Sequence, residues 1–215
     1  MDEKRILMVE GKNDKHVVYA IRDSQAIPKV FEVQPFEGDD KLLDALPGKI
    51  KEPNVTRLAV ILDADEEGID RRWDQLKSRL GQTSPPVAPP SHPDPNGTHF
   101  PIPDGPLFSA WLMPDNRRPG MLEDFLAFLI PEGDNLLPRV DAFLNDLPKP
   151  RRFREVHVSK ARLHCWLALQ EEPGRPFGTA ITARYLHADR EVVQPFVQWL
   201  RKALVDELPE APKLP

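Results

Sequence analysis

The sequence predicts an α/β fold with a central, mainly parallel sheet and a helical C-terminal elaboration. Two observations carry that class. Short apolar runs alternate with amphipathic segments through the first half of the chain, the order of elements that builds a parallel sheet. Two of those runs then end in acids: Ile6–Val9 is followed by Glu10, and Leu58–Leu62 by Asp63-Ala64-Asp65.

Taken in order, residues 4–10 read as a buried strand. Residues 12–24 place Val17, Ala20 and Ile21 at the i, i+3, i+4 spacing of an amphipathic helix. A second strand is expected over Val30–Phe36 and a helix over Asp39–Ile50, with Leu42, Leu43 and Leu46 on one face and Pro47-Gly48 disturbing its end. Leu58–Leu62 is a third strand, and Glu66–Leu80 a polar helix ending at Gly81. Ser84–Pro106 holds nine prolines in 23 residues and reads as an inserted polyproline-like loop, a solvated spacer on the surface. Leu107–Met113 resumes as a fourth strand. Met121–Ile130, Asn135–Leu147, Ser159–Gln170 and Glu191–Leu204 follow as helices, and the tail Leu208–Pro215 is expected to fray.

The chain has 215 residues, enough for one domain with elaborations. The spacing divides it into a domain over 1–183, with the insert at 84–106, and a C-terminal helix and tail over 184–215. No apolar run approaches the roughly 20 residues that cross a bilayer, so no membrane partner is expected. MDEKR leads straight into a strand with no secretory signal, and the lone Cys165 excludes an intrachain disulfide; both fit a cytoplasmic setting. A net charge of −5 is not the footprint of a nucleic-acid binder, although bound divalent cations would reverse the local field.

Acids at strand ends have two readings. In open α/β sheets ligands bind beyond the carboxyl ends of the strands, and hard divalent cations take carboxylate oxygens there. In an extended segment Asp63 and Asp65 share a face, and a turn at Gly11 brings Glu10 and Asp14 together. Equally, Asp63 or Asp65 would cap a helix beginning at Glu66. Zinc is not expected, because the six histidines are scattered and His164-Cys165 lacks ligand spacing. Tyr19, Tyr185 and the four tryptophans read as packing residues.

Glu10-Gly11 and Asp63-Ala64-Asp65-Glu66-Glu67-Gly68 resemble the two motifs of the Toprim domain, a metal-dependent module of primases, topoisomerases and small nucleases. VEGKND is similar to the opening of the branch found in overcoming-lysogenization-defect nucleases and their standalone prokaryotic relatives. Asp14, Glu123 in Gly120–Asp124 and Lys160 in Ser159-Lys160-Ala161 match further positions of that branch, as do Trp111–Asn116 and Leu163–Leu169. The resemblance implies a Toprim-like Rossmannoid fold and a nuclease that cleaves phosphodiester bonds in DNA or RNA, with two Mg²⁺ or Mn²⁺ ions. Glu10, Asp63 and Asp65 would hold one ion, Asp14 and Glu123 a second, and Lys160 would neutralise the phosphate; Asp115 and Asp124 would orient ligands from outside. Arg117 and Arg118, with Arg151, Arg152 and Arg154 in KPRRFR, are candidate nucleic-acid contacts or solvated loop charges. No phosphate-binding G-x-x-x-x-G-K-[ST] loop is present, so the implied ATPase of a defence or repair system would be a separate chain. Homo-oligomerisation is open. A scaffold that binds nucleic acid or protein without turnover, and an enzyme that handles nucleotides or pyrophosphate, are the alternatives.

Overall fold

Successive side chains on a strand face opposite sides, and here that alternation divides the core in two. In the computed structural model, which describes residues 3–206, the buried strands are β1 (Lys4–Val9), β3 (Val55–Asp63) and β5 (Leu107–Met113). Leu7, Val9, Ala59, Ile61, Trp111 and Met113 line one face. Ile6, Met8, Leu58, Val60, Leu62 and Leu112 line the other. Strands covered on both sides need continuous apolar runs, which is why these segments are legible in the sequence.

The sheet order is β2-β1-β3-β5-β4, with β2 (Glu32–Pro35) parallel to β1 and β4 (Thr98–Pro101) antiparallel to β5. This is an α/β Rossmann-like fold with five strands and eight α-helices among the described residues. The helix α1 (Lys12–Ser24) leads from β1 out to β2 on the first face. The helix α2 (Asp39–Ile50) returns across β1 to β3 on the second face, where α3 (Ile69–Gly81) joins it. The chain therefore reverses direction between β1 and β3, and the crevice beyond their carboxyl ends is a topological switch point. Glu10 and Asp63 stand there.

The proline-rich stretch is not a solvated spacer. It contributes β4, so Leu107–Met113 is the fifth strand rather than the fourth. Pro101 sits at the end of an edge strand, where a missing N–H removes no ladder bond. Val87 and Ile102 are buried, and the Trp73 indole donates to the Pro90 carbonyl at 3.1 Å. The helix α2 runs over Asp39–Ile50 as the sequence predicts, through Pro47, with Leu42, Leu43, Leu46 and Ile50 buried on one stripe.

Past β5 the helices are shorter than the periodicity predicts: α4 (Leu122–Ala127), α5 (Leu137–Asp146), α6 (Val158–Ala168) and α8 (Gln194–Leu204). One was not foreseen, α7 (Phe177–Thr182). It lies so close to α1 that a Cβ on Gly178 would stand 2.8 Å from the His16 carbonyl oxygen. The C-terminal helix α8 belongs to the first-face core, with Phe196 and Trp199 against Trp111. Its last carbonyls accept from Arg5 and Arg57, guanidinium groups rising from β1 and β3. Cations at a helix C-terminus complement its dipole. The tail Leu208–Pro215 lies outside the described residues. No helix among those described is long and apolar enough to cross a membrane.

Candidate metal centre

At the end of β1 the chain turns at Gly11 into α1, and the Asp14 carboxylate folds back to accept the Gly11 N–H at 3.0 Å. Glu10 reaches across the switch point, where its Oε1 accepts the Asp63 N–H at 2.8 Å. Beyond Asp63 the backbone leaves the strand. Asp65 has φ 52°, and it exchanges hydrogen bonds with Gly120 (2.8 and 3.1 Å). The left-handed backbone at Asp65 ends the extended segment in which the spacing places Asp63 and Asp65 on one face.

Neither caps α3. Gly68 is the N-cap and α3 starts at Ile69, not Glu66. The capping role falls to other acids on the candidate roll. Asp14 is the third residue of α1, and Asp124 the third residue of α4, where it accepts the Met121 N–H at 2.9 Å. Asp124 also accepts the Ser159 hydroxyl, which clamps α4 to α6. That clamp sets Lys160 beside Glu123, Nζ to Oε1 at 3.4 Å, with Glu123 buried and Lys160 half exposed.

The acids form one electrostatic unit. Burial raises Glu10 to about 7, against the Asp63 N–H and the Arg72 charge and with help from Asp14 and Asp39. Burial likewise raises Asp14 to about 6; Glu123 adds to the rise, while the Gly11 N–H and Lys160 oppose it. Asp63 is pushed well above the carboxylate range by burial first, then by the charges of Glu10, Asp14, Asp65 and Glu123. Like charges drawn into a desolvated crevice titrate in this direction.

Arg72 supplies the main countercharge. Its buried guanidinium donates to the Asp63 carbonyl (2.7 Å), the Asp65 carboxylate (2.7 Å) and the Asp39 carboxylate (2.6 Å). Neither Arg72 nor Asp39 was among the sequence candidates. The signal was present: Arg72 interrupts the apolar stripe Ile69-Trp73-Leu76-Leu80, where a charge needs a buried partner.

Among the described residues, no three His, Cys, Asp or Glu side chains stand together as a set able to hold an ion. Glu10, Asp14, Asp63, Asp65 and Glu123 offer only carboxylate oxygens, the donor type that hard divalent cations such as Mg²⁺ or Mn²⁺ take. With the side chains as they stand, Arg72 and Lys160 hold Asp65 and Glu123.

The remaining candidates have local partners. Asp115 closes a turn, accepting the Arg117 and Arg118 N–H groups and the Arg118 Nε. Arg118 also stacks on Phe128, 5.0 Å from its centroid. The KPRRFR cluster is divided: Arg151 is half-buried and bonded to Glu155 and the Leu144 carbonyl, whereas Arg152 and Arg154 are exposed, Arg154 against His157. Tyr19 and Tyr185 accept backbone N–H groups through their hydroxyls, and all four tryptophans are buried.

A family model described as "Protein of unknown function (DUF3226)" matches residues 4–205. No curated protein and no solved structure matches the chain.

Proposed function

The chain belongs to the DUF3226 family, and from its acidic crevice we propose that it is a Toprim-like, metal-dependent nuclease cleaving phosphodiester bonds in DNA or RNA. One observation carries the reading. Acids from three separate segments, after β1, after β3 and on α4, are near enough to the switch point to raise one another's pKa. A protein that only needed a soluble surface would not gather them in a desolvated place, because buried like charges cost stability.

In this reading Glu10, Asp63 and Asp65 would hold one Mg²⁺ or Mn²⁺ ion, and Asp14 and Glu123 would hold a second. Ions bound there would supply an activated water and charge stabilisation for in-line displacement at phosphorus. Lys160, half exposed beside Glu123, faces charge that develops on the phosphate. Asp124 positions Glu123 and Lys160 through Met121 and Ser159. To reach an ion Asp65 would have to leave Arg72, which also holds Asp39. An ATPase partner in a defence or repair system is part of this reading, and these 215 residues hold no phosphate-binding loop.

A second reading, a scaffold binding nucleic acid or protein without turnover, is favoured by the Arg72–Asp65 pair, which occupies an acid the nuclease needs. Incubation with single- and double-stranded DNA and RNA, plus Mg²⁺ or Mn²⁺, separates the two. Cleavage that disappears in Asp63→Ala supports the nuclease. Cleavage that survives in Asp63→Ala sinks the metal scheme, and binding without cleavage under every condition supports the scaffold.

A further inference from the structure

The buried side chains of α3 are Arg72, Trp73, Leu76 and Leu80, and Arg72 is the one that carries a charge. It is 4% exposed, so its guanidinium must find partners where it lies. Four hydrogen bonds supply them: Nε donates to the Asp63 carbonyl at 2.7 Å, Nη1 to Asp39 at 2.6 Å and Gln75 at 2.9 Å, and Nη2 to Asp65 at 2.7 Å. Three of these bonds do not involve Asp65; they run to a backbone carbonyl of β3, an acid of α2 and an amide oxygen of α3 itself. The guanidinium is therefore held in place with or without Asp65.

Asp65 is the candidate ligand whose carboxylate Arg72 takes up, and the two members of the pair are unlike. The Asp65 side chain is 39% exposed, against 4% for Arg72. The cation is fixed, and the carboxylate is the member free to move. A hydrogen bond between two charged groups is about twice as strong as a neutral one, so leaving it is costly. The Arg72 charge also reaches Glu10, whose pKa it lowers. A metal ion drawn by Glu10 and Asp65 would meet that same positive charge. Asp39, the other acid on Arg72, is not among the candidate ligands, so it can keep the guanidinium when Asp65 departs.

We propose that Arg72 is a positioning residue of the acidic crevice, an internal cation that competes with divalent metal for Asp65 and so sets how much free metal the site requires. Asp65 serves a metal ion only by leaving a guanidinium that Asp39, Gln75 and the Asp63 carbonyl retain. Below that level of free metal the crevice keeps its own cation. The competition rests on the metal reading of the crevice given above.

Calorimetric titration of the full chain with Mn²⁺, at about pH 8 where Glu10 and Asp14 are ionised, tests it. Arg72→Met is expected to bind Mn²⁺ about tenfold more tightly than the wild type, the worth of one hydrogen bond between charged groups. Arg72→Gln, which puts an amide donor in place of the guanidinium, repeats the measurement and stands in if Arg72→Met does not fold. Asp65→Asn has no carboxylate to contest, so removing Arg72 in that background is expected to give no gain. An equal gain in both backgrounds means that Arg72 acts on the site only through its charge, and overturns the proposal. Unchanged or weaker Mn²⁺ binding in the Arg72 variants overturns it too, and leaves the metal reading standing. No Mn²⁺ binding by the wild type or by either Arg72 variant removes the metal reading and the proposal with it.

Discussion

Glu10 accepts the backbone N–H of Asp63 at 2.8 Å, so the acid that ends β1 is bonded across the switch point to the acid that ends β3. The bond holds the two strand ends in register, yet it is outweighed: burial still raises Glu10 to about 7. A group whose folded pKa lies above its unfolded value binds more protons when folded, so stability falls as pH rises between the two. For Glu10 the window runs from 4.5 to about 7, and for Asp14 from 3.8 to about 6. In EDTA the melting temperature is therefore expected to fall from about pH 4 to about pH 7. Glu10→Gln keeps the acceptor for Asp63 and should flatten the upper half of that fall. An unchanged slope in this variant would contradict the assignment. Mg²⁺, which binds the ionised form, should raise stability most above pH 7.

Arg72 ties Asp39 of α2 to Asp65 beyond β3, and its removal leaves both acids without that cation. Breaking a fully buried pair costs roughly 3–5 kcal/mol. Asp39 and Asp65 are each more than a third exposed, so the expected loss for Arg72→Met is smaller, about 2 kcal/mol. Urea titration reads it directly. Saturating Mg²⁺ should recover part of the loss in the variant, and no recovery would argue against a cation taking up Asp65.

The parts of this fold that are legible in the sequence are those governed by local pattern. Leu58–Leu62 and Ile6–Val9 read as strands because burial on both faces demands an unbroken apolar run. The strand β4 was hidden because only its pairing with β5 at an edge makes proline tolerable there. The helix α7 was hidden because Gly178 is chosen for contact with His16, not for helix propensity. The candidate site divides the same way. Glu10 and Asp63 are conspicuous as acids at strand ends, whereas Arg72 meets Asp39 across 33 residues. Sequence spacing carries no information about contacts of that kind.

Lys160 and Asp124 should separate catalysis from architecture. Lys160 is half exposed and pairs with Glu123 at 3.4 Å, so Lys160→Ala is expected to change stability by less than about 1 kcal/mol. Loss of a cation that faces transition-state charge should lower kcat by about 100-fold. Asp124→Ala removes the α4 cap and the α4–α6 clamp, and should destabilise by about 1–2 kcal/mol. Steady-state kinetics beside thermal melts distinguish the two. Equal losses of stability would assign Lys160 a structural role instead.

Gly97 tests whether the proline-rich stretch is part of the core. It has φ +92°, and a Cβ there would stand 2.2 Å from Cδ1 of the buried Trp199. Trp199 packs in turn on Trp111 and Phe196, which link α8 to β5. Gly97→Ala therefore adds backbone strain to a clash that can be relieved only by moving an indole in a close-packed cluster. Each contribution is worth about 1–3 kcal/mol. The expected sum, about 3 kcal/mol, corresponds to a fall in melting temperature of about 6–12 °C for a chain of this size. Calorimetry measures it. A solvated spacer would absorb the extra methyl group without loss, and an unshifted melt would return the stretch to that role.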